Sequence, residues 1–331
     1  MTPTAGTFLA GLPQIILSLI LGTIGGAIFW WWGVPLAWML GALTATSIAS
    51  MIGVQTGVPK VLRSPMFIVI GVLIGSSFNE ELLSQIGEWT LSLIGLLVCL
   101  VVSVAVGLVY LRLIARFDSV TAYFTSMPGG LSEMVAQGGS YGGDEADIVL
   151  AHSARVMLVV FAIPLGFQAV IGNVGAGVPM PDAGLTPLTA TDVFWLCVSG
   201  LGGVVAGRLG LPAGMLLGAL VASAIVHAIG LTHVSPPAPI VAAAQVVIGA
   251  SLGARFAGRT VPTLIRIVAI AAGLTALFLL VAILTALAVA SVTNLSVPAL
   301  ILAYAPGGVG EMSLIALALD ADPALVSTHH L

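Results

Sequence analysis

Apolar residues fall into long runs separated by short polar steps, at roughly 7–31, 34–54, 60–78, 88–114, 147–172, 190–208, 211–231, 237–255 and 262–291. An α-helix needs about 20 apolar residues to cross the hydrocarbon core of a bilayer. The pattern therefore predicts a series of membrane-crossing helices. The breaks between them are brief, as at Gly33-Val34-Pro35, Phe78-Asn79-Glu80-Glu81 and Asn294. Period-two alternation is not evident, which argues against a membrane β-barrel. The first run has no charged segment before it and no small-residue cleavage pattern, so it reads as a retained span and not as a removed leader.

The runs repeat. Gly33-Val34-Pro35 with Leu40-Gly41-Ala42-Leu43 returns as Gly210-Leu211-Pro212 with Leu217-Gly218-Ala219-Leu220. Ile70-Gly71, Gly75 and Phe78 return as Ile248-Gly249, Gly253 and Phe256. Pro128-Gly129-Gly130-x-x-Glu133-Met134 returns as Pro306-Gly307-Gly308-x-x-Glu311-Met312, and Asp144 and His152 return as Asp322 and His330. One near-constant offset across five landmarks marks an internal duplication. We read 1–172 as the first membrane repeat, 173–189 as a linker and 190–331 as the second repeat. Leu331 aligns with Ser153, so the sequence is expected to stop about one helix short of a full second repeat.

Basic residues in short loops mark the cytoplasmic side. Lys60 and Arg63 follow the second span of the first repeat, and Arg112 and Arg116 follow its fourth. In the second repeat the bases follow the first span (Arg208) and the third (Arg255, Arg259, Arg266). A displacement by one span is what inversion predicts. The expected fold is thus an all-α integral membrane protein of two inverted-topology repeats with about five crossings each. Each repeat would carry a broken or re-entrant Pro-Gly-Gly helix segment, although a full crossing by that segment is the alternative.

The stretch around Ser126, Pro128, Gly129, Gly130, Ser132 and Glu133 is unsuited to a continuous helix. Proline removes an amide hydrogen and clashes with the preceding turn, and paired glycines weaken a helix further. Irregular backbone at membrane depth persists where it is buried in protein or lines a watery cavity. A helix that starts after the break presents free amides and a positive dipole end to a polar or anionic group. Pro306, Gly307, Gly308 and Glu311 repeat the arrangement, which resembles the way secondary transporters build their binding sites. The blander reading is a turn in an aqueous loop, with Glu133 capping the next helix.

Asp144, Asp147, His152 and Arg155 form a second group, echoed by Asp322 and His330. The two acids can begin a helix. Arg155 lies in a stretch nearly free of charge, so it needs a partner or water; Glu133, Asp147 and a bound anion are the candidates. The group is read as providing charge compensation or coupling, with His152 and His330 as proton carriers near neutral pH or as helix-lining hydrogen bonders. His329 lacks a counterpart.

Composition agrees. Fifty-nine per cent of residues are hydrophobic and 7% are charged, against roughly a quarter charged in a soluble chain, so lipid must be the main solvent. A net charge of −4 leaves no basic face for nucleic acid. Cys99 and Cys197 sit in apolar runs without metal-type spacing and read as small buried hydrophobes. The scattered histidines offer no metal site, and no nucleotide-binding or other cofactor motif is readable, so no cofactor is expected.

At "PGGLSEM" and "PGGVGEM", each followed by its Asp/His segment, the chain resembles the bacterial AbrB duplication family over almost its whole length. The resemblance implies a multi-pass protein of the bacterial inner membrane. Members carry labels of transporter, regulator of gene expression and ammonia monooxygenase; the last would require a metal centre not visible here. The leading expectation is a secondary transporter of a small polar or anionic solute, with a proton as candidate coupling ion. It would be partnered by the lipid bilayer and not by nucleic acid, and a homo-oligomer is compatible with the sequence. The rivals are a membrane sensor that regulates expression and, below it, a membrane monooxygenase.

Overall fold

The computed structural model describes residues 11–78, 87, 89–171, 188–257 and 261–331, and all regular structure among them is helical. The linker read at 173–189 lies outside the described residues except for Leu188 and Thr189, as does the polar step after Phe78. Six described helices are long and apolar enough to cross a membrane. They are α1 (Leu12–Trp31), α4 (Trp89–Leu113), α7 (Glu145–Ile171), α8 (Ala190–Arg208), α10 (Ala238–Gly253, continued by a short 3-10 turn) and α11 (Val261–Ala290).

Three predicted spans are shorter than their apolar runs. These are α2 (Ala37–Met51), α3 (Lys60–Gly75) and α9 (Gly214–Ala228), with 15, 16 and 15 residues. Local backbone sets the limits of α2 and α9. Gly33 and Gly210 take positive φ (67° and 73°), and the residues that open α2 and α9, Leu36 and Ala213, are also left-handed at 52° and 49°. The same strained turn therefore occurs at matching positions of both sequence repeats. Gly53 (φ 90°) and Gly230 (φ 71°) follow the ends of α2 and α9.

The helices sort into two compact units, each drawing on both sequence repeats. The first contains α1, α2, α3, α8, α9 and α10, together with residues 313–324. Here α1 packs on α2, and α8 on α9, through Gly25 against the Gly41 carbonyl and Gly203 against the Met215 carbonyl. Then α3 crosses to α9, and α10 crosses to α2. Side chains at Gly71 and Gly75 of α3 would strike the carbonyls of Leu216 and Leu220 on α9. Side chains at Gly249 and Gly253 of α10 would strike those of Met39 and Leu43 on α2. Small residues allow this backbone approach, which is the usual basis of helix association in lipid. The Ser223 hydroxyl donates to the Val72 carbonyl across the first crossing at 2.8 Å.

The second unit holds α4, α7 up to Val170, α11 and four short helices or parts of them. These are α5 (Ser119–Ser126), α6 (Leu131–Ser140), α12 (Val297–Tyr304) and the start of α13 (Val309–Ala318); most of α14 (Pro323–His329) also belongs here. The long α4 and α11 pair closely, with Gly107 against Phe278 and Gly273 against Tyr110, whose hydroxyl donates to the Ile270 carbonyl. Of the two cysteines, Cys99 on α4 is buried as expected, but Cys197 on α8 is exposed.

Gly71→Val should lower the melting temperature of the detergent-purified protein, because overpacking a tight interface costs about 1–3 kcal/mol. Ala213→Gly should raise it, since the left-handed region costs an L side chain roughly 1–2 kcal/mol that glycine does not incur, offset in part by glycine's greater chain entropy. Intrinsic-fluorescence melting of the two variants checks both signs.

Candidate functional site

Both Pro-Gly-Gly segments interrupt a helix, and they do so identically. α5 and α12 have eight residues each, and α6 and α13 have ten. A polar residue caps each first half. The Asp118 carboxylate accepts from the amides of Val120 and Thr121 at 2.9 and 3.0 Å, and the Ser296 hydroxyl accepts from the Ala299 amide at 3.4 Å. The first halves end on extended residues with near-equal backbone angles, Met127 (φ −66°, ψ 138°) and Ala305 (φ −64°, ψ 142°). At about 1.5 Å per residue, neither half alone approaches the thickness of a bilayer.

The second halves explain why the motif continues to Glu-Met. Gly130 caps α6 with φ −61°, an angle open to any residue. Its missing side chain matters for a different reason. A methyl group there would overlap the Glu133 carboxylate, and one on Gly129 would meet the thioether of Met134. Gly308 stands in the same relation to Glu311, and Gly307 to Met312. In each repeat the Glu of the first helical turn folds back over the capping glycine while the following Met covers the other glycine. A carboxylate in this position complements the positive end of its own helix. Glu133 is exposed and Glu311 half-buried; Pro128, Gly129 and Gly130 are exposed, and Pro306, Gly307 and Gly308 half-buried. Ser132 is the second residue of α6, its side chain outside the described residues. Ser126 is buried, its hydroxyl donating to the Tyr123 carbonyl of its own helix at 2.9 Å.

The other side of the first break is closed from α7. The last carbonyls of a helix have no partner within it. Here the Phe124 carbonyl accepts from His152 Nε2 at 2.9 Å, and the Thr125 carbonyl accepts from Arg155 Nη1 at 3.4 Å. Arg155 Nη2 lies 3.1 Å from His152 Nδ1. Guanidinium nitrogens only donate, so Nδ1 accepts and the imidazole proton sits on Nε2, facing Phe124. His152 is therefore held as the neutral Nε2–H tautomer by two directed contacts. Arg155 also stands over the Phe278 ring, 5.8 Å from its centroid. Of the candidate partners, Glu133 makes no hydrogen bond to Arg155, whose bonded partners are the Thr125 carbonyl and His152. Cation–π contact and the negative end of α5 stand in that acid's place.

Asp144 caps α7, accepting from the amides of Ala146 and Asp147 at 2.8 and 3.0 Å. Asp322 does the same for α14, accepting from Ala324 at 2.9 Å. His330 reaches the second break, with Nε2 3.3 Å from the Ala305 carbonyl and Nδ1 2.9 Å from that of Val326. A cluster that sequence reasoning passed over lies beside it. His329 Nε2 is 2.9 Å from the Ser92 hydroxyl, and the Tyr304 hydroxyl donates to the Ser92 carbonyl at 2.8 Å. The signal was His329 itself, a buried histidine without a counterpart in the first repeat. Among the described residues no three of His, Cys, Asp and Glu gather into a metal-binding group.

The profile of the family described as "Transition state regulatory protein AbrB" matches residues 38–331. The chain is 27% identical over 345 residues to the uncharacterized protein YhjN of Bacillus subtilis (strain 168), covering 93% of this chain and 86% of that protein. It is 27% identical over 298 residues to a candidate regulator, AbrB, of Escherichia coli (strain K12), covering 88% of this chain and 84% of that protein. No solved structure matches the chain.

Hydrogen bonds from Thr121 and from the α5 amides hold the Asp118 carboxyl below the ordinary Asp range. A folded-state value below the unfolded one adds stability that is complete above about pH 4 and is lost as pH falls through the folded-state value. Asp118→Ala should therefore lower the melting temperature at pH 7, and its deficit against the wild type should narrow below about pH 4. Melting curves of both proteins between pH 7 and pH 3 test this.

Proposed function

The chain belongs to the AbrB family, and from that premise we propose that it is a secondary transporter of a small polar or anionic solute in the bacterial inner membrane. The carrying observation is the pair of matched helix breaks at Pro128-Gly129-Gly130 and Pro306-Gly307-Gly308 within one compact unit. Discontinuous helices of this kind, arising from repeats of opposite topology, are how secondary transporters form sites away from bulk water. In this reading the two sequence repeats are inverted, and each break is re-entrant or part of a broken crossing. Glu133 and Glu311 bear on the solute, and His152 and Arg155 hold the first break open.

The folded-back carboxylates narrow the chemistry. A Glu side chain already occupies the positive end of α6 and of α13, so those ends are no longer free hooks for an anion. A second negative charge within about 4–6 Å favours protonation of a carboxylate. The proton is the candidate coupling ion for an anionic solute at such a break.

A second reading is a membrane protein that regulates gene expression, favoured by the names of the family and of the E. coli relative. Neither name is that of an enzyme.

A thermal-shift screen of small metabolites on the purified chain should yield stabilising solutes, and the best of them should exchange across proteoliposomes in counterflow. Glu133→Gln and Glu311→Gln keep the size of the side chain and lose only its interaction with the helix dipole, so they should stay folded, within about 1 kcal/mol of the wild type, while exchange is abolished. Undiminished exchange in both variants would remove the glutamates from the mechanism.

A further inference from the structure

Arg155 is short of partners. Its side chain is 6% exposed, and it lies in α7, one of the six helices fit to cross a membrane. Of its five N–H donors, one meets the Thr125 carbonyl at a long 3.4 Å and one meets His152 Nδ1. Nε is buried with no hydrogen-bond partner, and so is the hydroxyl of Thr125, 1% exposed, on the residue whose carbonyl Arg155 touches. No carboxylate among the described residues bonds to the guanidinium. Among the described residues, the neutral imidazole, the Phe278 ring and the end of an eight-residue helix are its compensation. A helix end supplies the equivalent of about half a charge. A buried cation is otherwise retained only when it is paired or serves a ligand.

We propose that Arg155 and Thr125 form a binding site for one monovalent carboxylate group. The carboxylate would accept from Nε–H and a neighbouring guanidinium N–H in the side-on, two-bond manner that suits a planar oxyanion, with the Thr125 hydroxyl as a third donor. Charge decides against a dianion such as phosphate, because one guanidinium already shared with a carbonyl and an imidazole nitrogen cannot neutralise two charges. The position matters too. Thr125 lies two residues before the extended Met127, so an occupant that draws Arg155 away from the Thr125 carbonyl uncaps α5 beside the break. The site deepens the transporter reading and rests on it for the passage of the ligand, whereas binding is measurable without transport.

The test uses the full chain in detergent and [14C]acetate as the probe, in equilibrium dialysis at low ionic strength. Saturable one-site binding is expected in the wild type. It should be lost in Arg155→Gln, weakened at least tenfold in Arg155→Lys, which keeps the charge but lacks the fork, and weakened several-fold in Thr125→Val. Formate should compete, and inorganic phosphate should not. Absence of saturable binding in the wild type overturns the proposal, as does equal binding by Arg155→Gln or competition by phosphate as strong as by formate. If Arg155→Gln does not give a folded protein, Thr125→Val decides, and unchanged affinity there overturns the site. Acetate bound in this way by a protein that exchanges no solute in proteoliposomes would leave the site standing and overturn the transporter reading instead.

Discussion

A carbonyl group released from a helix in apolar surroundings must find a donor, and the broken helices of this protein are organised around that need. An unpaired buried backbone group costs as much as several ordinary contacts contribute. At the first break, α5 releases its last carbonyls, and α7 supplies an imidazole and a guanidinium to receive those of Phe124 and Thr125. At the start of α6 the Glu133 carboxylate folds back over Gly130 and complements the positive end of the same ten-residue helix. The proline, the two glycines, the glutamate and the methionine are thus one structural statement. Proline ends the first half, the glycines clear space, and the last two residues fill that space.

This places the polar groups of the break in tension with one another. The site holds a carboxylate on one side and an under-bonded cation on the other, and no hydrogen bond joins them. Glu133 is exposed, whereas the buried cation of Arg155 is costly unless something else engages it. Structural economy alone would have paired Arg155 with an acid or replaced it with an apolar residue of similar volume.

Much of the architecture could be read from the residues. The recurrence of Gly71 and Gly75 as Gly249 and Gly253 marked a duplicated feature, and the structure shows them as the two close crossings between second and third helices. Pro128 and Pro306 announced the breaks, and Asp144 announced a helix start. Other features were not legible, for physical reasons. The partners of His152 and Arg155 are backbone carbonyls, which every residue carries and no letter of the sequence reports. The lengths of α2 and α9 depend on left-handed turns at Leu36 and Ala213, residue types that do not advertise such a turn. The bond between His329 and Ser92 joins residues 237 positions apart, and no local pattern foretells it.

The crossings of the first unit have a consequence for how the protein is made. Gly71 of α3 receives the backbone of Leu216 on α9, so the notch on α3 has no occupant until a further 145 residues have been synthesised. At typical elongation rates of about 5–20 residues per second, that interval is on the order of ten seconds. Throughout it the nascent first half carries this packing surface vacant. The first unit can close only after translation has carried the chain well into its second repeat.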